Sequence, residues 1–549
     1  MANVISYLHP HIVTSVIDNS QVVTSTISPD NTCLFMPYVS DRGVDGVIEK
    51  YTSYAQFIAD KGTPNFKKHG EPIYDVLQFL SGGGTVYGIR VMPDDAEYAK
   101  AVLSTKELEY EATIDTENPD GSITDEDGNV ITTGTLKSYE LATFKCKGRG
   151  EYGNRFKVEV RLNKTLTIHH GTTMYDVLVY ENGQVIEGPF YCALDPYAVN
   201  NSGTSIFMGN VINNYSNSIT CEFNEANYDE IIMELGAEGS QIDILTDGQP
   251  IAVSLEGGLD GQFEQPLNED EPAEGSLEAA YIKAFSDKQL ASKRFYPIDI
   301  LMDAGFGKGV RRAIQDLAIV RGDCMAFCGV ADASPNEAVA GPEQFSTDIQ
   351  SRSVAFYCQK FVVYDAFTRA DMKVSMNYFL AYKIPANDNT YGMHMPLAGL
   401  ARGVITGFKS MNYNPTTPEE KEVLYRNRIN YAEQDYRNTK LMSQLTSQEM
   451  TSALSNINNM RVLLRMIRDV EQISENYYFE FANTTTLNAF QGAVNNYLQQ
   501  WISNGACTTA VGSVFQNDYD VEQKIVRVQI NLVFTGIIER ISITFNVGN

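Results

Sequence analysis

The most constraining feature of the sequence is its last part, KIVRVQINLVFTGIIERISITFNV, in which apolar side chains recur at every second residue. The recurring positions are Val526, Val528, Ile530, Leu532 and Phe534 and, after Thr535 and Gly536, Ile541, Ile543, Phe545 and Val547. A period of two over this length predicts two half-buried strands joined by a tight turn. An isolated hairpin is marginal in water and leaves two edges of unpaired backbone groups. The hairpin therefore needs a β partner.

The composition excludes several classes of protein. A chain of 549 residues predicts roughly three or four domains. Its 42 basic and 69 acidic residues give a formal net charge of -27, which repels nucleic-acid phosphate and anionic membranes. The N-terminus has no basic segment followed by an apolar core, and no run of about 18 apolar residues is present to cross a bilayer. We expect a soluble protein that binds no nucleic acid and does not insert into a membrane.

The order of helix and strand signals predicts an α+β multidomain fold. Asp-Gly and Asn-Gly turns between short β-branched runs indicate a turn-rich β insert, most clearly in DVLVYENGQVIEG. Alternating helix and strand signals with short glycine links follow and predict a parallel α/β layer. The predicted units are an N-terminal arm at 1–28, a helix-and-strand part at 29–104, the β-rich insert at 105–260, an α/β domain at 261–390, and a C-terminal domain of helices and a β-hairpin arm at 391–549.

Two long helices are expected before the terminal hairpin. Thr446 and Glu449 form a capping-box pattern and apolar residues follow near helical spacing, so the first helix is expected to begin there. The second is expected from Thr485, and its apolar stripe consists of Leu487, Phe490, Val494, Leu498 and Trp501. Between Lys421 and Arg468 there are eight basic and four acidic residues, so this half is locally less acidic than the insert.

No residue pattern predicts a catalytic, cofactor-binding or metal site. The eight cysteines are scattered, and we expect them to be reduced and buried, including the close pair Cys324 and Cys328. The adjacent His169 and His170 are expected on a strand, where their imidazoles would point to opposite faces. The glycines of SGGGTVYGIRVM precede a strand rather than a helix, unlike a phosphate-binding loop. We therefore expect no enzyme activity and no cofactor.

Several stretches together resemble the tail sheath proteins of contractile bacteriophages and related contractile injection systems. YTSYAQFIADKG followed by PIYDVLQFLSGGGTVYGIRVM is similar to the family's two helices, Gly-Gly and a strand ending in Arg-Val. GRGEYGNRFKVEVR resembles the strand entry of the family's inserted domain, and LEGGLDG resembles the loop that closes it. MHMPLAGLARG resembles the segment before the C-terminal domain, whose Phe-Glu strand, long helix and Gly-Ala turn are similar to YYFEFANTTTLNAFQGAVNNYLQQWISNGAC. NRINYAEQDYRNTKLMSQLTS matches the family only in part.

The resemblance implies copies that stack as a helical sleeve around a tail tube. Residues 29–104 and 391–549 would belong to the sheath core, residues 105–260 would face outward, and the less acidic C-terminal half would face the tube. Neighbouring copies would be linked by strand addition between terminal arms. The implied arm residues are Ile12, Val13, Val16, Ile17, Val22, Val23, Val526, Val528, Ile530, Leu532, Ile541, Ile543, Phe545 and Val547.

The resemblance also implies partners and a place of action. The partners would be other copies of the chain, the tail tube protein, the baseplate, and neck or tail-terminator proteins. The sleeve would be a virion tail component, assembled in the cytoplasm of the bacterial host, and its contraction would drive the tube through the host envelope. No cofactor is implied.

Two other functions are compatible with the residues. A self-assembling shell or surface-layer protein is also built from acidic, β-rich subunits. An α/β hydrolase would place an acidic pair in a pocket at the strand ends of the α/β layer, around residues 276–370. A clustered, buried carboxylate pair in such a pocket would favour the enzyme.

Overall fold

A seven-stranded sheet forms the centre of the molecule. The computed structural model describes residues 31–110, 135–235, 241–246, 248–262, 272–330, 350–539 and 542. The strands of this central sheet lie in the order Ile48–Tyr51, Thr85–Arg90, Cys33–Tyr38, Ile300–Met302, Met325–Gly329, Val354–Tyr357 and Ile429–Asn430. All neighbours pair in parallel except Ile48–Tyr51, which runs antiparallel to Thr85–Arg90. The parallel α/β layer predicted from the sequence is present, and it includes strands from residues 33–90.

Helices cover the central sheet because parallel strands need crossover connections. They are Tyr54–Lys61, Phe66–His69, Pro72–Ser81, Leu277–Phe285, Lys308–Arg321 and Asn377–Tyr391. The expected caps are observed, since Ser53 accepts a hydrogen bond from the Gln56 N–H and Gly62 follows the end of its helix. The predicted helix near Pro342 lies outside the described residues.

The three glycines after helix Pro72–Ser81 have a packing role. A Cβ on Gly82 would lie 2.4 Å from the carbonyl oxygen of Tyr382, and a Cβ on Gly84 would lie 2.2 Å from the ring of Phe79. Gly83 has a φ of 83°, which side chains rarely adopt. The glycines therefore let the helix end pack closely against helix Asn377–Tyr391, and the segment leads into a strand, as expected.

The Gly82→Ala substitution is expected to destabilise the protein. The added methyl group meets backbone that cannot move without shifting a buried helix, and such overpacking costs about 1–3 kcal/mol. Gly492→Ala is the matched control, because no atom lies within 4 Å of a Cβ at that helical position. The control should raise the free energy of unfolding by about 0.5–1 kcal/mol. Urea unfolding measures both; equal effects of the two substitutions would contradict the packing role.

The inserted unit has its own hydrophobic core between two antiparallel sheets. One sheet has the order Gln184–Ala193, Met174–Glu181, Phe156–Leu162 and Ile251–Ser254, and the other has the order Ile219–Phe223, Glu140–Cys146 and Lys100–Ser104. Leu108–Tyr110 pairs with Thr135–Lys137. The predicted Asn-Gly hairpin is confirmed, since Asn182 and Gly183 have φ of 49° and 82° between two paired strands.

The inserted unit also contains helices, at Lys164–His170, Met208–Tyr215 and Glu225–Leu235. The expectation that His169 and His170 lie on a strand was therefore wrong. Asn163 caps this helix by accepting the Leu166 N–H, and Gly171 ends it in the left-handed conformation. These two end signals outweigh the strand preference of the β-branched residues between them.

Buried Arg90 joins the inserted unit to the central sheet. Its side chain is fully buried, and its Nε donates to the carbonyl oxygen of Ser40 at 2.9 Å. Its Nη1 pairs with Asp45 at 2.8 Å, and its Nη2 donates to the carbonyl oxygen of Arg149 at 2.8 Å. Because every contact is directional, the guanidinium fixes how the chain enters the inserted unit.

The loop that closes the inserted unit meets the same place. The Asn154 amide exchanges two hydrogen bonds with the backbone of Gly258, at 2.9 Å and 2.8 Å. Asp260 accepts the Glu151 N–H at 2.9 Å, and a Cβ on Gly150 would lie 2.5 Å from this carboxylate. The motifs GIRVM, GRGEYGNRF and LEGGLDG therefore meet in space, where their glycines allow close approach and their polar side chains bond to backbone.

The remaining described elements connect the central sheet to the C-terminal region. One small sheet has the strand order Ala370–Ser375, Lys360–Asp365 and Ser410–Met411. A second small sheet has the order Val404–Ile405, Thr439–Leu441 and Ala432–Gln434. The short helices are Gly399–Arg402, Pro418–Arg426 and Asp518–Glu522. Single 3₁₀ turns are Glu151–Arg155, Lys288–Ala291 and Ala453–Ser455. Within the described ranges, no helix combines the length and apolar character needed to cross a membrane.

Candidate assembly interface

The C-terminal region is built on a long helix, Ile457–Glu475, which we call the arginine helix. It begins after Asn456, so the expected start at Thr446 was wrong. Thr446 is buried, and its hydroxyl donates to the carbonyl oxygen of Leu454 at 3.1 Å. The residue that looked like a helix cap therefore holds a compact turn ahead of the helix.

Three buried arginines of this helix pair with buried carboxylates, and Arg468 connects the helix to the central sheet. Arg461 Nη1 pairs with Asp388 at 3.0 Å, Arg465 pairs with Asp469 at 3.1 Å, and Arg468 donates to the Asp299 carboxylate. Burial alone would raise the pKa of Asp299, but Arg468 and Arg465 outweigh it and hold that pKa below its usual value. The local excess of basic residues counted in the sequence is therefore partly internal and does not mark an exposed positive surface.

A second long helix, Thr484–Ser503, packs against the arginine helix. No charged residue occurs between Glu480 and Asp518, and we call it the uncharged helix. Asn483 caps it by accepting the Thr486 N–H, and Phe490, Val494, Leu498 and Trp501 of the predicted stripe are buried. The predicted second helix is confirmed. The Phe-Glu strand expected at its start is absent: residues 476–479 form a turn in which Phe479 has a φ of 65°, and residues 480–483 have no regular secondary structure.

Two antiparallel strands follow, the inner strand Cys507–Phe515 and the edge strand Arg527–Phe534. Together they form a two-stranded C-terminal sheet. The predicted period of two is observed, since Val528, Ile530, Leu532 and Phe534 pack towards the helices. The edge strand pairs with the inner strand, and residues 535–539, where a tight turn was expected, have no regular secondary structure. The predicted second strand of the hairpin, with Ile541, Ile543, Phe545 and Val547, lies outside the described residues.

The edge strand is only half covered. Val528, Ile530 and Leu532 are apolar but half-buried, whereas Ala510 and Val514 of the inner strand are buried. An apolar row that stays half exposed on a sheet edge is a site where another strand can pair. The predicted arm residue Val526 lies just before this strand and is 37% exposed.

The chain leaves the edge strand without turning back. The Thr535 N–H donates to the carbonyl oxygen of Ala506 at 3.0 Å, which continues the chain past the end of the inner strand. Further on, the Tyr425 hydroxyl donates to Glu539 at 2.9 Å. The other predicted arm residues, Ile12, Val13, Val16, Ile17, Val22, Val23, Ile541, Ile543, Phe545 and Val547, lie outside the described residues.

A cluster of three buried carboxyl groups lies at the end of a central strand. Glu71 accepts a hydrogen bond from the Ser375 hydroxyl at 2.6 Å, and Asp303 accepts one from Arg311 Nε at 2.9 Å. Both carboxylate oxygens of Asp75 are buried and have no hydrogen-bond partner among the described residues. We call Glu71, Asp75 and Asp303 the carboxyl cluster. None of the three is more than 6% exposed, so the cluster does not open into a pocket.

Burial is the main cause of unusual protonation in this cluster. It raises the pKa of Glu71 to about 7 and that of Asp75 well above its usual value, and the neighbouring carboxylates add to both shifts. A carboxyl group with a raised pKa holds its proton better in the folded state than in the unfolded state. Folding stability should therefore fall as the pH rises from about 4.5 through 7.

The Asp75→Asn substitution is expected to remove part of this pH dependence. The amide is neutral at every pH, so the substitution should change little at pH 4 and stabilise the protein by about 1–3 kcal/mol at pH 8, where the unfolded state gains free energy by ionising Asp75 and the buried site does not. Thermal unfolding of both proteins across this pH range measures the difference. A destabilising effect that is constant with pH would contradict the assignment.

The other candidate chemical groups are structural. All eight cysteines are free and buried, as expected, and burial raises the pKa of Cys328 and Cys324. Across the described ranges, no group of three or more His, Cys, Asp or Glu side chains is arranged to hold a metal ion. What the described C-terminal region offers is a surface for β pairing.

Comparison with known proteins identifies the fold. No family model and no curated protein matches the sequence. A sheath tail protein from Listeria innocua matches with a TM-score of 0.55 and 11% identity, over 93% of this chain and 96% of that chain. A sheath tail protein from Desulfitobacterium hafniense gives 0.48 and 11% over 93% and 99%, and the contracted helical sheath of the anti-feeding prophage gives 0.48 and 11% over 99% of both chains. The chain has the fold of a sheath tail protein, as its sequence resemblance indicated.

Proposed function

We propose that the chain is the subunit of a contractile tail sheath that polymerises helically around a tail tube. The observation that carries this proposal is the half-covered edge strand in a molecule with a tail sheath fold. Copies are linked when a terminal arm of one chain, including the residues named from Ile12 to Val23 or from Ile541 to Val547, pairs with the edge strand of another. Backbone pairing depends little on side-chain identity, so an arm can stay paired while the subunit bodies rotate.

The energetics favour cooperative assembly. Each well-buried Val or Ile contributes about 1.5–3 kcal/mol, while ordering the backbone costs about 1–2 kcal/mol per residue. A single arm is therefore close to balanced, and many arms in one lattice act together through high effective concentration. Contraction is a change between two lattice packings that differ by on the order of a few kcal/mol per subunit. The proposed mechanism has no covalent step.

The proposed partners and location follow from this role. The sleeve surrounds a tail tube protein, ends at a baseplate, and is closed by neck or tail-terminator proteins. It assembles in the cytoplasm of a bacterial host and acts in a virion tail or a headless contractile particle. The inserted unit lies outward, where its acidic residues stay hydrated.

The carboxyl cluster is the observation that bears on the hydrolase alternative. It satisfies half of the criterion, since acidic side chains do gather at a strand end. It fails the other half, because substrate cannot reach side chains that are at most 6% exposed. A self-assembling shell or surface layer remains the second candidate function, favoured by the same half-covered edge.

Electron microscopy of the purified full-length chain separates these candidates. A sheath subunit is expected to form hollow tubes with helical symmetry as its concentration is raised. Flat sheets or closed shells would instead support the second candidate. Particles that stay monomeric at all concentrations would contradict both.

A further inference from the structure

We propose that the C-terminal sheet accepts a strand from a second copy at the edge strand only, because side-chain amides of the uncharged helix close the other edge. The donor is a second copy if the proposed function is correct. The consequence is an order of assembly: a second donated strand has to pair with the first donated strand.

The edge of the inner strand is already occupied. The Gly512 N–H donates to Asn495 Oδ1 at 2.8 Å, and Asn495 Nδ2 donates to the Gly512 carbonyl oxygen at 2.9 Å. The Val514 N–H donates to Gln491 Oε1 at 3.0 Å. Asn495 thus makes the paired contacts that a neighbouring strand would make. Gly512 permits this approach, because a Cβ there would lie 2.7 Å from Val494.

The register shows which groups of the edge strand face away. Gly512 lies opposite Ile530, and Val514 lies opposite Val528. Since Gly512 and Val514 direct their backbone groups to the uncharged helix, these opposed pairs do not bond to each other. The N–H and C=O groups of Val528 and Ile530 therefore point outward, and so do those of Leu532 opposite Ala510. No hydrogen bond to these outward groups is found among the described residues.

Residues 535–539 lead away from this edge. The Thr535 and Glu539 contacts lead them past the inner strand and on to Tyr425. In the sequence, residues 541–547 have alternating apolar residues, and residues 12–27 are rich in β-branched ones. Both segments lie outside the described residues, apart from residue 542. Both kinds of arm compete for one edge, so they add in series when both are present.

Hydrogen exchange on the full-length, unassembled subunit tests this proposal. The probes are synthetic peptides of residues 10–28 and 538–549. In the free subunit, the amides of Gly512 and Val514 should already be protected, whereas those of Val528, Ile530 and Leu532 should exchange at least tenfold faster. Either peptide should protect the second group only. Protection gained at Gly512 or Val514 would overturn the proposal. So would an edge strand whose amides gain no protection from either peptide or from assembly into tubes.

Opening the closed edge provides an independent arm of the test. The double substitution Gln491→Ala and Asn495→Ala should release the Gly512 and Val514 amides and allow a second peptide to bind directly. Asn496→Ala, on the exposed side of the same helix, is the matched control and should leave one directly bound peptide. An unchanged binding ratio in the double variant would overturn the role of the amides. Failure of the purified chain to form tubes would contradict the proposed function, while the peptide protection would still report on the edge.

Discussion

Val528→Pro is expected to abolish tube formation while leaving the subunit folded. The N–H of Val528 points away from the inner strand, so its loss breaks no hydrogen bond of the C-terminal sheet. The proline ring removes a donor that an incoming strand needs and obstructs its approach, which is why proline is tolerated at solvent-facing positions of edge strands. Electron microscopy should show no tubes, and circular dichroism should show a cooperative thermal transition close to that of the native chain.

Val528→Ala is the matched control for this substitution. It removes more of the side chain but keeps the backbone donor, so tubes should still form. If the alanine variant fails to assemble while the proline variant assembles normally, assembly depends on the side chain and not on backbone pairing.

Arg468→Met is expected to cause the largest loss of stability. The substitution leaves the buried Asp299 carboxylate without its closest charged partner, and breaking a buried pair from one side costs about 3–5 kcal/mol. Asp299 also accepts the Cys33 N–H at 2.8 Å, so the damage extends to the centre of the central sheet. Guanidinium unfolding measures the change in the free energy of unfolding.

Two further variants separate the buried charge from the lost side chain. Arg426→Met removes an exposed pair with Glu422 and should cost less than about 1 kcal/mol. The double variant Arg468→Met with Asp299→Asn should recover part of the loss, because no unpaired charge remains. If the effect of the double variant equals the sum of the effects of Arg468→Met alone and Asp299→Asn alone, the two side chains are not coupled.

Periodicity predicted the edge strand but not its partner. A period of two identifies which face of a strand is apolar and carries no information about which strand lies beside it. The inner strand has only a weak signal, because its core face consists of Cys507, Ala510, Gly512 and Val514. These residues are mostly small, which makes room for the uncharged helix. A search for alternating large apolar side chains therefore does not detect this strand.

The C-terminal helices show why one local signal succeeded and another failed. The uncharged helix has an apolar stripe that continues over its length, so it was located from the sequence. Thr446 matched a capping pattern, yet its hydroxyl is used by the Leu454 carbonyl in a buried turn. A cap pattern of two residues is easily outweighed by tertiary packing.

Charge counting was informative for the whole molecule and misleading for one segment. The net charge of -27 describes the solvated surface as a whole. Arg461, Arg465 and Arg468 are nevertheless buried against carboxylates, so their charges do not form an exposed positive surface. The amides of Gln491 and Asn495 were missed altogether, because uncharged polar residues on a helix carry no sequence signal for the backbone they contact.

A cryo-electron microscopy map of the assembled chain, at a resolution that separates strands, would show directly whether strands are exchanged between copies. We expect a strand from another copy to be hydrogen-bonded to the outward groups of Val528, Ile530 and Leu532. A map in which each chain's own tail covers that edge, with no strand exchanged between copies, would contradict this expectation.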